Sequence, residues 1–220
     1  MNGQWFAWFF VCLLVGSFII LTSEVHEALA GEKELIGAVD QLLLRLVVEH
    51  RTRLLNGIAI DLTALGSATG LSILTLFLCV FFLLRRKLHL AVHALLAAGG
   101  AAGLTAALKF YFERSRPDAA LRLVDVQGFS YPSGHSLASA AIYFTCAILV
   151  ARPLPGLRSR SVVWAFFLVL IGTIGLTRIY LGVHFFSDVL AGIMIGIAWA
   201  ALLEIGMSHL GERLQCNTRT

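Results

Sequence analysis

Residues 62–108 read LTALGSATGLSILTLFLCVFFLL, then RRK, then LHLAVHALLAAGGAAGLTAAL. Two uncharged runs, each about the 20 residues a helix needs to cross the hydrocarbon core, flank the cationic cluster Arg85, Arg86 and Lys87. Backbone N–H and C=O groups find no water partner in lipid, and neither run alternates as a barrel strand would, so both are read as helices. Working outward, Met1–Ser23 is equally free of charge. His135–Ala151, Ser161–Thr177 and about Phe185–Met207 supply three more apolar runs, the last interrupted by Asp188 and Glu204. The predicted fold is an all-α integral membrane protein of six transmembrane helices, forming one domain over residues 1–220.

Composition points the same way. With 58% hydrophobic residues, 14% charged residues and a mean hydropathy of +0.84, the chain lacks the polar surface of a soluble globule. The net charge of +4 arises from Lys and Arg at the ends of apolar runs, where topology requires them, so nucleic acid is not an expected partner. Cys12, Cys79 and Cys146 lie inside apolar runs and Cys216 in the polar tail, which reads as small buried hydrophobes rather than a disulfide framework. No Lys or Arg precedes the first run and no small-residue cleavage pattern follows it; it reads as a retained span.

Arg85, Arg86, Lys87, then Arg152, Arg158 and Arg160, then Arg213 and Arg219 fall by parity on one face, which the positive-inside rule makes cytoplasmic. Both termini are expected there, in a cytoplasmic (inner) membrane. Between the first two spans, Leu35, Ile36, Val39, Leu42, Leu43, Leu46 and Val47 recur at helical spacing, with Glu34, Asp40, Arg45 and Glu49 on other faces. This is an amphipathic helix, expected along the outer membrane–water interface. It either guides a lipid towards a site or merely connects two spans.

Three segments hold nearly all the polar residues that look out of place: KFYFERSRP (Lys109–Pro117), YPSGH (Tyr131–His135) and TRIYLGVHFFSD (Thr177–Asp188). By parity all three face the outer, periplasmic side. Lys109 and Arg116 share one helical face if the helix persists that far, and together suit a phosphate, the guanidinium by its fork of donors and the ammonium by its compact charge. Equally, both could snorkel at the interface, and Arg114 is read that way. Ser133 and Gly134 stand where a loop enters a helix, so they either cap it or offer unpaired N–H groups to an anion. His135 beside them is placed to protonate a leaving oxygen. His184 and Asp188 are four residues apart at the start of the last span, where one helical face would carry both and the carboxylate would hold Nδ1–H. Arg178 cannot share that face on an unbroken helix, so a bend near Gly182 is expected to return it. His89 and His93 have metal-ligand spacing but no acidic or Cys partner nearby and lie by the opposite cationic cluster; they are not read as a site.

In these residues the sequence resembles the type 2 phosphatidic acid phosphatase superfamily, in its bacterial membrane lipid phosphatase branch. The family pattern is Lys-x6-Arg-Pro, then Pro-Ser-Gly-His, then Ser-Arg-x5-His-x3-Asp. All three elements occur here in order over a motif core of 109–188, with Thr177 replacing the usual Ser. The resemblance implies that His184 attacks phosphorus to form a phosphohistidine, that Asp188 orients it, and that His135 protonates the leaving group and then activates water. It implies that Lys109, Arg116, Ser133, Gly134 and Arg178 hold the phosphoryl oxygens, with no metal and no cofactor. The expected partners are the bilayer and a lipid phosphate or diphosphate, of undecaprenyl diphosphate, phosphatidylglycerophosphate or phosphatidic acid type. A phosphotransferase that passes the phosphoryl group to another acceptor shares the same site. A transporter or flippase would instead line a path with charges near mid-membrane on several helices.

Overall fold

The computed structural model describes residues 2–29 and 35–217, with side chains over 5–29 and 35–208. Glu34 and Arg219 fall outside the described residues, as do the side chains of Arg213 and Cys216. All regular structure among the described residues is helical: α1 (Asn2–Leu29), α2 (Leu35–Glu49), α3 (Arg53–Ala64), α4 (Ala68–Leu84), α5 (Leu88–Phe112), α6 (Gly134–Ala151), α7 (Leu157–Tyr180) and α8 (Phe186–Asn217). A short 3₁₀ turn, Ala119–Leu121, interrupts the long connection between α5 and α6.

Five segments are long and apolar enough to cross a membrane: Trp5–Leu29, Leu88–Phe112, Gly134–Ala151, Leu157–Tyr180 and Phe186–Ser208. The expected uninterrupted span over Leu62–Leu84 is instead a bent pair, α3 and α4, meeting at 41°; counted as one span it makes the total six. The break has a local chemical cause. Ser67 caps α4, its Oγ accepting from Gly70 N–H at 3.0 Å and donating to Ala64 O at 2.7 Å. Tyr143 Oη donates to Leu65 O at 2.9 Å, so the freed backbone groups are paired within protein, as a broken helix in lipid requires.

α6 is the most enclosed span, with 67% of its residues buried, and α1 the least, at 11%. Around them Phe6, Phe9, Ile19, Leu76, Phe77, Leu95 and Val169 turn outward, the apolar exterior a bilayer covers. α6 packs most extensively on α8. Gly192 and Gly196 make that approach possible: a Cβ would lie 2.7 Å from Ser133 O at the first and 2.4 Å from Leu137 O at the second. The small-x-x-x-small spacing thus brings backbone against backbone where apolar surface alone would give little drive. The amphipathic α2 forms where expected. Its Asp40, placed by sequence on a face away from the apolar stripe, is nevertheless buried, together with Leu44.

Candidate active site

The three polar segments converge at one end of the bundle. α5 stops at Phe112 because Glu113 turns into the left-handed region (φ 45°), its N–H bonding back to Lys109 O. The helix therefore ends before Arg116, and Lys109 and Arg116 do not share a helical face as the spacing suggested. They still come together through the loop. Lys109 Nζ donates to Phe129 O, while Arg116 donates from Nε to Gly128 O (2.9 Å), from Nη2 to Gln127 O (3.1 Å) and from Nη1 to Val183 O (2.9 Å).

Ser133 is the N-cap of α6: its Oγ accepts from Ser136 N–H at 3.4 Å and from Ser136 Oγ at 2.9 Å. Gly134 opens the helix, where a Cβ would stand 3.0 Å from Thr105 Cγ2 and 3.9 Å from Lys109 Cε. His135 follows in the first turn, close enough to Arg178, His184, Arg116 and Lys109 for their charges to act on it.

The bend expected near Gly182 is present. Gly182 has φ +74°, and a Cβ there would lie 2.3 Å from Leu121 O and 2.8 Å from Arg51 Nη2. Arg51 clamps the turn by donating to Tyr180 O (2.6 Å from Nη2) and Leu121 O (2.8 Å from Nη1). Because of this turn His184 precedes α8 rather than lying on it, so the His184–Asp188 pair is not made by helical periodicity. Asp188 instead reaches back: Oδ2 accepts from Phe185 N–H at 2.8 Å and stands 3.4 Å from His184 Nδ1.

Arg116 Nη1 lies 3.1 Å from His184 Nε2. A guanidinium can only donate, so Nε2 is the bare nitrogen and Nδ1 carries the hydrogen, facing Ser130 Oγ at 3.2 Å and Asp188. Ser130 Oγ in turn donates to Asp188 Oδ2. Burial pushes the His184 pKa down to about 4, with Arg116 and Arg178 adding to it and Asp188 opposing it. Burial likewise draws Arg116 below its usual value, and neighbouring Arg122 adds to that.

Arg178, 3% exposed at the end of α7, donates from Nη1 to Thr63 Oγ1 at 2.8 Å, while its buried Nε–H has no partner among the described residues. A buried guanidinium hydrogen without an acceptor costs stability, which a phosphoryl oxygen at this place would recover.

Sequence reasoning misread one residue and missed several. Arg114, taken as an interfacial snorkel, is 7% exposed and bridges Asp188 Oδ1 (2.7 Å) and Asp40 Oδ2 (2.8 Å). Its Cζ lies 4.5 Å from the centre of the Phe185 ring, and the side chain is held inside the protein by these partners rather than extended outward. Asp40, Ser130 and Ser187 carry no spacing signal that could have found them. His93 is buried in the first half of α5, near Arg152 and away from this group.

A bare imidazole nitrogen thus faces cations at one end of the helix bundle, and residues 90–209 match the PAP2 superfamily. The chain belongs to that superfamily and is a membrane lipid phosphatase of the bacterial kind, a phosphoric ester hydrolase. Among curated proteins it is similar to phosphatidylglycerophosphatase B of Bacillus subtilis (strain 168), with 32% identity over 181 residues, or 82% of this chain and 86% of that protein. Among solved structures it is similar to a transmembrane PAP2 type phosphatidylglycerolphosphate phosphatase from Bacillus subtilis, with TM-score 0.79 and 31% identity over 88% of this chain and 94% of that one. It is also similar to Aquifex aeolicus LpxE, with TM-score 0.60 and 28% identity over 75% of this chain and 94% of that one.

Proposed function

We propose that the chain hydrolyses a lipid phosphate monoester or diphosphate through a phosphohistidine at His184. The orientation of His184 carries the reading: Nε2 bare and turned to cations, Nδ1–H turned to Asp188 and Ser130. Nε2 attacks phosphorus as the bond to the leaving oxygen breaks, and protonated His135 supplies the proton that oxygen takes. His135 then removes a proton from the water whose oxygen attacks phosphorus, and the P–N bond breaks with its electron pair returning to His184 Nε2. Lys109, Arg116 and Arg178, with the Ser133–Gly134 helix start, hold the phosphoryl oxygens and offset charge built up in the transition state.

A lipid substrate is supported by a groove of about 850 Å³ between α4, α5 and α6, open to the apolar exterior at Leu76 and Leu95, floored by Leu71, Ala98 and Ile142 and reaching His135. Its apolar walls suit alkyl chains while the head reaches the cations. Phosphatidylglycerophosphate is the first substrate to try, given the name of the Bacillus relative, ahead of undecaprenyl diphosphate and phosphatidic acid. Purified protein in detergent with chelator is assayed for phosphate release against these lipids. Undiminished release by His184→Ala would overturn the reading, and transfer to an added alcohol in place of release would make the chain a phosphotransferase. The transporter reading loses ground because the buried charges Asp40, Arg114, Arg178 and Asp188 gather at one end rather than along a path.

We place the site on the outer face of the cytoplasmic membrane, with six spans, α2 at the outer interface and the termini inside. Arg85, Arg86, Lys87, Arg158 and Arg160 lie exposed at the end opposite the site, as the positive-inside rule asks. A cysteine introduced at Arg158 is expected to react with an impermeant thiol reagent only after the cells are opened.

A further inference from the structure

Asp40 belongs to α2, which carries none of the family motif, yet it is 1% exposed and sits behind the nucleophile. Its Oδ1 accepts from Ser187 N–H at 2.9 Å; its Oδ2 accepts from Ser187 Oγ at 2.6 Å and from Arg114 Nη2 at 2.8 Å. Arg114 Nη1 then donates to Ser187 Oγ and to Asp188 Oδ1, both at 2.7 Å. A single guanidinium is thus shared between two buried carboxylates, one on α2 and one touching His184.

The sharing has an electrostatic consequence. An Arg114–Asp188 pair alone would be neutral, and the guanidinium would draw on the carboxylate that His184 needs. With Asp40 on its other edge, the group of three keeps one net negative charge in a site that water does not reach. Attack through Nε2 leaves the imidazole, still holding its Nδ1 hydrogen, with cationic character, which Arg116 and Arg178 oppose from the other side. A carboxylate that merely tied α2 to the bundle would need only one of these bonds. This one organises Ser187 and Arg114 together, and both lie against Asp188.

We infer that Asp40 is a positioning residue for the nucleophile, holding Arg114 so that Asp188 faces His184 under a net negative charge and making α2 part of the catalytic centre. The inference rests on His184 being the nucleophile.

The test uses the full chain in detergent micelles with chelator, dioctanoyl phosphatidic acid as substrate, and kcat expressed per folded molecule from a thermal melt. Asp40→Asn keeps the shape and an oxygen for Ser187 N–H but removes the charge. The expected result is a kcat lower by about 10- to 100-fold, the scale seen for outer partners of a ligating imidazole, with KM within about twofold. Asp40→Glu, which keeps the charge, is expected to recover part of the loss. Unchanged kcat per folded molecule in Asp40→Asn overturns the inference, even with a lowered melting temperature, because a structural tie would show only in the melt. Should Asp40→Asn yield no folded protein, Ser187→Ala removes the hydroxyl that joins Asp40 to Arg114 without changing charge. A kcat loss above about threefold at unchanged KM then supports the inference, and wild-type kcat overturns it. His184→Ala run alongside separates the two readings: if it stays active, the nucleophile assignment fails, and if it is inactive while Asp40→Asn is not, only the role of Asp40 fails.

Discussion

Both ends of the helix bundle carry clusters of Arg and Lys, and the sequence shows them as similar punctuation between apolar runs. At one end Arg85, Arg86, Lys87, Arg158 and Arg160 are exposed, and the Arg152–Glu204 pair is 54% and 24% exposed. At the other end Arg114 and Arg178 are 7% and 3% exposed, and Lys109 and Arg116 are partly covered. On the proposed reading the same residue type sets topology where it stays hydrated and serves chemistry where it does not, because an attraction that water screens at the surface strengthens several-fold once water is excluded. The chain's path makes the difference: the left-handed Glu113, the Gly182 turn and the α6 helix start fold the chain over one set of cations, while the other set sits in the short α4–α5 turn and the exposed first turn of α7.

Substitutions at the two ends should therefore separate by orders of magnitude. His184→Ala is expected to lower kcat by more than about 10³-fold, read as phosphate release and as loss of acid-labile phosphoprotein after a rapid quench. Arg178→Ala should lower kcat by about 10²- to 10³-fold, the effect of one removed oxyanion donor. Acidity probes the same end. Burial holds the His184 pKa below its ordinary 6.5, at about 4, so the neutral, reactive form persists as pH falls through 6.5 and is lost as pH falls through about 4. The acid limb of kcat/KM should accordingly lie near pH 4, falling about tenfold per unit below it; a limb centred at 6.5 would mean that the imidazole is hydrated. Gly196→Ala, between the ends, would press a methyl into Leu137 O and should cost about 1–3 kcal/mol in a detergent melt. Arg152→Gln, at the far end, should change stability by no more than about 1 kcal/mol and leave kcat within about twofold; a large effect there would break the contrast.

How much of this was readable beforehand follows the range of the interactions. Lys109, Arg116, Ser133, Gly134, His135, Arg178, His184 and Asp188 stand in three short strings whose order survives in the sequence, and the bend at Gly182 follows from the need to bring Arg178 round. The interruption at Gly66–Ser67 was written as a turn dipeptide, but averaged hydropathy across Leu62–Leu84 conceals it. The Asp40–Arg114–Asp188 bridge was not readable, because its members lie 74 residues apart on either side and no periodicity links them. The hydrogen-bonding role of Ser130 depends on a loop conformation that neighbouring residues do not announce.

The Gly192 and Gly196 contacts carry a mechanical consequence. α6 holds His135, the proposed proton donor, and α8 begins two residues after His184, the proposed nucleophile, and the two helices meet through backbone rather than through compressible side chains. The separation of the two histidines is thereby expected to hold when the thickness or lateral pressure of the bilayer changes. Lipids of different length can load the outer helices while the reacting geometry keeps its gauge.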